Sequence, residues 1–228
     1  MSSLVVAIDG PSGSGKSSIS RGVAARLGLR YLDTGAMFRA VTWWMLRHDV
    51  DVTDPDAIAA RATEPVIESG TDPLDPTIQV DGEDASIAIR SDEVNAAVSP
   101  VSAVPAVRAR LLELQRAIIE EAGGIVVEGR DIGSVVAPDA PVKLYLSADP
   151  EARAVRRAAE AGGDVAATQE SLLARDRIAS GRLTAPLTMA DGAVHIDTTP
   201  YTLDEVISQV VALVEAVSEP SRAGEAGA

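Results

Sequence analysis

The sequence predicts an α/β fold in which a central parallel β-sheet is flanked by helices. Three observations carry this. Short apolar runs alternate with segments of helical periodicity over most of the 228 residues. The first run passes through a glycine loop directly into a helical pattern, and the stretch 66–89 breaks the alternation with β-prone runs separated by Asp, Pro and Gly. Alternating strands and helices imply crossover connections and parallel pairing, and the interruption implies a small antiparallel insertion.

Residues 4–8 form the first apolar run, ending at Asp9-Gly10, and a helix from Lys16 places Ile19, Val23, Ala24 and Leu27 on one face before Gly28 stops it. Residues 29–32 read as a second strand and 36–47 as a helix burying Met37, Val41, Trp44 and Met45. In the insertion, runs at 66–68, 77–80 and 85–89 predict three strands, with Asp81-Gly82 as a turn. A helix over 104–121 aligns Val107, Leu111, Leu114 and Ile118 and closes at Gly123-Gly124. Residues 125–127, 142–146 and 194–196 read as buried strands. Thr202-Leu203-Asp204-Glu205 has the pattern of a capping box for a last helix burying Val206, Val210, Leu213 and Val214. The expected organisation is one domain over 1–217, with a core of 1–64, 97–150 and 184–217, an insertion at about 65–96 and helices at about 151–183. Residues 218–228 offer nothing to pack and are expected to be disordered.

Composition excludes several functions. No apolar run approaches the roughly 18 residues of a membrane span, and the N-terminus enters a strand without a basic region or cleavage site, so a cytoplasmic protein with no membrane partner is expected. Cysteine is absent, which removes disulfides and thiolate zinc sites, and His48 and His195 stand alone. The net charge of −14 argues against nucleic acid as a partner. That charge is uneven: residues 48–95 hold thirteen acids against two bases, while 150–186 carry six arginines against five acids.

Gly10-Pro11-Ser12-Gly13-Ser14-Gly15-Lys16-Ser17 matches G-x-x-x-x-G-K-[ST] between a strand and a helix, the context that a phosphate-binding P-loop requires. Glycine permits the positive-φ turns that let backbone N–H groups wrap phosphate oxygens, and the helix N-terminus adds favourable charge. Gly10, Pro11, Ser12, Gly13, Ser14, Gly15, Lys16, Ser17 and Ser18 are therefore the candidate ATP-binding residues. Lys16 is expected to reach the β- and γ-phosphates, and Ser17 to help hold Mg²⁺ with phosphates and water. Lys16 and Lys143 are the only lysines, and Lys143 lies in Val142-Lys143-Leu144, so the N/T-K-x-D guanine-reading element of switch GTPases is absent.

Two further loops follow predicted strands, Asp33-Thr34-Gly35 with Arg39 beyond it, and Glu128-Gly129-Arg130-Asp131-Ile132-Gly133. Both open on the P-loop edge of the sheet, and the arginine-rich segment follows. Converging guanidinium groups suit the charge-spread transition state of phosphoryl transfer. The acceptor stays open on these grounds. A kinase for a small molecule such as UMP or a sugar-like acid, and a non-catalytic ATP-binding module, both fit.

Taken together, these residues resemble the bacterial cytidylate kinases, members of the nucleoside monophosphate kinases, from about residue 5 to 213. The resemblance rests on the P-loop with Ile8-Asp9 before it, Asp33-Thr34-Gly35-Ala36 with Arg39, the Glu128–Gly133 loop, Pro138-Asp139-Ala140, and Arg182 before Ala185-Pro186-Leu187. It implies a P-loop kinase with a central parallel β-sheet flanked by helices, an inserted small antiparallel NMP-binding subdomain and a helical lid. It also implies transfer of the γ-phosphoryl group of ATP to CMP or dCMP with Mg²⁺, by a monomer whose partners are small nucleotides. By the same resemblance, Thr34, Arg108, Asp131 and Arg182 meet the base, Ser99 and Arg175 the ribose, and Arg39 and Arg130 the monophosphate. Arg153, Arg156 and Arg157 fall in or beside the lid; Lys16, Arg130, Arg153 and Arg157 are the implied catalytic residues. Three positions depart from the pattern: Thr34 stands in place of serine, Ser17-Ser18 in place of Gly-Thr or Ser-Thr, and Ala179 in place of an aspartate that bonds the sugar.

Overall fold

The computed structural model describes residues 4–161, 164–181 and 187–218. β1 (Leu4–Asp9) is buried from Val5 onward, as expected of a strand covered on both faces. α1 (Lys16–Leu27) buries Ile19, Val23 and Ala24, and Gly28 at φ 64° ends it by returning its N–H to the Ala24 carbonyl. β2 (Arg30–Asp33) passes directly into α2 (Thr34–Arg47). That helix starts two residues earlier than its apolar stripe suggests because the Asp33 carboxylate caps it, accepting from the Ala36 N–H at 2.8 Å. α3 (Pro55–Ala60) is not legible from periodicity, since six residues are too few to show a stripe; Asp54 caps it and Pro55 takes the first position.

The insertion is a three-stranded antiparallel sheet of β3 (Ile67–Ser69), β4 (Ile78–Val80) and β5 (Glu83–Asp84). Asp81 at φ 53° and Gly82 at φ 81° make the two-residue turn between its last strands. The third strand differs from the expected 85–89. Ala85 and Ile89 are both buried one helical turn apart, and the Arg90 and Ser91 N–H groups reach back three residues to the Ile87 and Ala88 carbonyls at 3.0 and 3.2 Å, so this stretch coils into a 3₁₀ turn, Ala88–Arg90. A larger departure is α4 (Asp92–Ala103), which sequence periodicity does not announce because Pro100 sits inside it. Ser91 caps α4, and Val94, Ala97, Val98 and Val101 bury its inner face. α5 (Pro105–Glu121) begins one residue after the predicted start, with Pro105 in the first helical position.

β6 (Gly124–Gly129) is buried throughout and leads into a π-helical turn, Ile132–Val136. β7 (Val142–Ser147) precedes the packed helix pair α6 (Pro150–Ala161) and α7 (Val165–Ser180). β8 (Val194–Asp197) closes the sheet as its edge, so only Ile196 of the expected buried strand is buried. α8 (Leu203–Ser218) carries the predicted capping box, with the Thr202 N–H donating to Glu205 Oε2 at 2.8 Å and the Glu205 N–H to Thr202 Oγ1 at 3.4 Å.

The five strands run parallel in the order β2-β6-β1-β7-β8. Alternation along the strands sends Val5, Ala7, Ile125 and Val127 into one core with Met37, Trp44, Met45, Val107 and Leu111, and Val6, Ile8, Val126 and Leu144 into another with Ile19, Val23, Val206 and Val210. Each Val, Leu, Ile or Met side chain among them contributes about 1.5–3 kcal/mol on burial. Ile67, Ile78 and Val80 share the first core, which seats the insertion on α2. Register then fixes the site: Asp9 lies beside Gly129, and Asp33 beside Glu128. Three loops therefore leave neighbouring strands at one level, on the carboxyl edge where parallel sheets bind ligands.

Candidate active site

The loop from Gly10 to Gly15 has the geometry its glycines allow. Gly10 (φ 150°), Gly13 (φ 80°) and Gly15 (φ 85°) all occupy backbone regions that L side chains rarely adopt. A Cβ on Gly10 would come within 2.1 Å of the Leu146 carbonyl oxygen, so only glycine lets the loop cross β7. Ser14 Oγ and Lys16 Nζ both donate to the Pro11 carbonyl, at 3.0 and 2.7 Å, and brace the loop from inside. From outside, Arg153 Nη1 donates to the Ser12 carbonyl at 3.0 Å and Thr198 Oγ1 to the Ser14 carbonyl at 3.1 Å. α1 has no side-chain cap at Gly15, so its first-turn N–H groups can be capped by an anion.

Across the cavity, β2 and β6 supply the other half. Asp33 caps α2 with one carboxylate oxygen and holds Arg39 Nη2 at 3.1 Å with the other. Thr34 Oγ1 donates to the Glu128 carbonyl at 2.7 Å, and a Cβ on Gly129 would come within 2.6 Å of that hydroxyl, so the two loops touch only because residue 129 has no side chain. Arg108, on α5, forms a buried ion pair with Asp131, donates to the Ser102 carbonyl at 3.2 Å and lies 5.3 Å above the Phe38 ring.

These elements enclose a cavity of about 420 Å³. Among the predicted site residues, Ser12, Gly13, Gly15, Lys16, Ser17, Ser18, Thr34, Arg39, Ser99, Arg108, Arg130, Asp131 and Arg157 line it. Gly10, Pro11 and Ser14 shape the loop from behind. Arg153 does not line the cavity; besides Ser12 it holds Asp176 of α7 at 2.5 Å, tying α6 and α7 to the P-loop. Arg175 lies on α7, and Arg182 lies outside the described residues, as do Ala185 and Pro186. Ala179 is fully buried on α7, its carbonyl accepting from the Leu187 N–H at 3.0 Å, and it does not line the cavity.

Several lining residues are absent from the sequence-based set: Arg21, Phe38, Arg90, Asn95, Val98, Ser102 and Glu128. Four of these, Arg21, Asn95, Val98 and Ser102, had a legible signal. Arg21 follows Ser17 by one helical turn on α1, and Asn95, Val98, Ser99 and Ser102 form an i, i+3, i+4, i+7 stripe on α4 that becomes visible once that helix is recognised. Arg21 also bridges to the insertion, donating from Nε to the Pro73 carbonyl at 2.8 Å.

Electrostatically the cavity opposes the rest of the chain. Seven cationic residues line it against the three acids Asp33, Glu128 and Asp131, in a protein of net charge −14. That concentrates positive potential where a polyanion would sit. Burial pushes the Lys16 ammonium down to about 8, partly offset by Glu128, while Arg130 adds to the depression. Burial likewise lowers Arg130, and it raises Glu128, with the Asp33 charge adding to that rise. Tyr31 donates its hydroxyl to Glu128, which holds this carboxylate at the base of the cavity.

The arrangement can therefore cradle phosphates at one end and read a polar ring edge at the other. Known proteins are similar to this chain in sequence over nearly its whole length. The sequence model of the cytidylate kinase family matches residues 6–216. A cytidylate kinase from Streptomyces griseus is 62% identical over 216 residues, covering 94% of each chain, and one from Rhodococcus opacus is 52% identical over 229 residues, covering 98% of this chain and 99% of the other. In fold alone, the crystal structure of an uncharacterized protein from Eubacterium ventriosum is similar, with a TM-score of 0.54 at 10% identity over 93% of this chain and 99% of that one. With a family match running from β1 into α8 and this identity across nearly the full length, the chain belongs to the cytidylate kinase family.

Proposed function

We infer that the protein transfers the γ-phosphoryl group of ATP to CMP or dCMP, giving ADP and CDP or dCDP. The observation that carries this is one cavity joining the P-loop with Lys16 to the Thr34, Arg108 and Asp131 cluster. Thr34 donates its hydroxyl proton to the Glu128 carbonyl, so towards a ligand it offers lone pairs only. A carboxylate and a hydroxyl of that kind accept from the exocyclic amine of cytosine, whereas the keto oxygen of uracil gives them nothing to accept. Arg39 and Arg130 take the acceptor phosphate, Ser99 and Arg175 the ribose, and Arg182 completes the base contacts. Lys16, Arg130 and Arg157 neutralise the transferring group from the cavity wall, and Arg153 serves them from outside it by bracing the P-loop through the Ser12 carbonyl.

Mg²⁺ suits the donor set, because Ser17 lines the cavity with the Asp33 and Glu128 carboxylates, all hard oxygens of the kind this ion prefers. Bound there with phosphates and water, it would neutralise charge on the transferring phosphoryl group. The chain's own part is to orient donor and acceptor in line and to supply fixed positive charge, since phosphoryl transfer needs no protein nucleophile. An ADP-release assay across CMP, dCMP, UMP, AMP and shikimate should give its highest kcat/KM with a cytidine monophosphate. No turnover with any acceptor would mean a non-catalytic ATP module, and preference for shikimate or UMP a different kinase.

Two predictions arise at this site. Asp131→Asn should reduce the CMP over UMP preference by about tenfold, the value of roughly 1.4 kcal/mol of base discrimination, while the KM for ATP stays near its starting value. A weakened ATP KM with an unchanged preference would place Asp131 on the donor side. The second concerns pH. Lys16 binds phosphate as a cation, present below its pKa and lost above it, so kcat/KM for ATP should fall above about pH 8. The fall in kcat should come at higher pH, because bound phosphates stabilise the ammonium. Flat kcat/KM for ATP up to pH 10 would contradict the role given to Lys16.

A further inference from the structure

We propose that Asp9 is a positioning residue for the acceptor base: its carboxylate holds the loop after β6 so that Asp131 meets the base in a single orientation. The inference rests on Asp131 reading the base, as set out above. Asp9 is the last residue of β1, only 2% exposed, and its neighbour Gly10 opens the P-loop. Its two carboxylate oxygens divide their work, Oδ1 accepting from the Ile132 N–H and Oδ2 from the Gly133 N–H, each at 2.8 Å. Those are the two residues that follow Asp131. On the other side, the Val135 and Val136 N–H groups return to the Asp131 carbonyl at 2.9 and 3.2 Å, and Arg108 pairs with its side chain. Asp131 is thus held by its carbonyl, by the amides next to it and by its carboxylate.

A carboxylate is an expensive way to build an ordinary turn. Burial pushes the Asp9 carboxyl up to about 6; the two amide bonds and Lys16 pull it down, and the Asp131 charge adds to the rise. An asparagine of the same size would avoid the desolvated charge but has one acceptor oxygen, so its NH₂ would face one of the two N–H groups. Only a carboxylate accepts at both positions. The seat is also close-fitting: a Cβ on Gly133 would lie 3.4 Å from Asp9 Oδ2 and 3.1 Å from the Ala190 Cβ. The same residue therefore ends the strand that carries the donor loop and sets the loop that reads the acceptor.

The test measures kcat/KM for CMP and for UMP, and the KM for ATP, in Asp9→Asn, Gly133→Ala and Asp131→Asn beside the parent protein. Misplacement of a contact by about 1 Å can cost about a hundredfold, and a shift of a few tenths of an ångström in a supported group costs less. On that scale Asp9→Asn should lower the CMP over UMP ratio by about tenfold and Gly133→Ala by about threefold, with the KM for ATP changed less than about twofold. Partial unfolding cannot imitate this result, because loss of active protein scales both acceptors equally. A ratio that falls in Asp131→Asn but not in Asp9→Asn overturns the positioning role and leaves base reading intact. A ratio unmoved in Asp131→Asn removes base reading and this inference with it. Should Asp9→Asn fail to fold, Gly133→Ala decides by the same ratio, and an unchanged value there overturns the proposal.

Discussion

Lys16→Ala is expected to lower kcat by about 10² or more in a protein that still folds. The fold should survive because Lys16 is half-buried at the first position of α1, and its hydrogen bond to the Pro11 carbonyl at 2.7 Å adds to bracing that Ser14, Arg153 and Thr198 also supply. A typical bond of this kind contributes about 1 kcal/mol net. The catalytic loss is larger because the ammonium is held in place at the cavity wall, where a fixed charge acts on developing negative charge without having to reorganise. Steady-state kcat with saturating CMP, beside a melting curve, separates the two effects. Near-normal turnover in the folded variant would take the P-loop lysine out of the mechanism.

Breaking the pair at the base-reading end should affect stability most. In Arg108→Met, Asp131 loses its buried guanidinium partner, and Phe38 and the Ser102 carbonyl lose their contacts with it. Removing one member of a buried pair leaves an uncompensated charge, and we expect a loss of about 3 kcal/mol. For a chain of this size that corresponds to a Tm lower by about 6–12 °C. Removing both charges is less damaging than removing one, so Arg108→Met with Asp131→Leu should recover much of the stability while losing the preference for CMP. Denaturant unfolding at neutral pH checks the first statement and the CMP over UMP ratio the second. A single variant within about 0.5 kcal/mol of the parent would show that the pair is exposed in solution.

The Ala179 position shows what a resemblance alone leaves open. Its neighbours in the pattern imply a sugar-facing residue, yet its side chain is fully buried and absent from the cavity wall. An aspartate placed there would be desolvated, at a cost that Ala179 avoids. The acidic character of the chain has a comparable answer. The thirteen acids of residues 48–95 belong largely to the insertion and its approaches, whereas the cavity collects arginines from α1, α2, α5, α6 and the loop after β6, and takes Arg90 from that acidic segment itself. Net charge thus described the surface and said little about the site.

What the amino-acid order determined by itself was local. The P-loop depends on glycines and a lysine within eight residues, the caps of α2 and α8 on residues three apart, and the strand-to-loop junctions on short apolar runs, so each is written in neighbouring positions. Enough of these survive in order for the chain to be read as a cytidylate kinase relative from its motifs. The contacts that complete the site are of another kind: Arg108 meets Asp131 across 23 positions, Tyr31 meets Glu128 across 97, and Asp9 meets the Ile132 amide across 123. No spacing rule links such pairs. Strand register and helix packing bring them together, and α4 joins them only because its apolar face is buried despite Pro100. Desolvation, which sets the protonation of Lys16, Asp9 and Glu128, likewise exists only once the chain has closed around them.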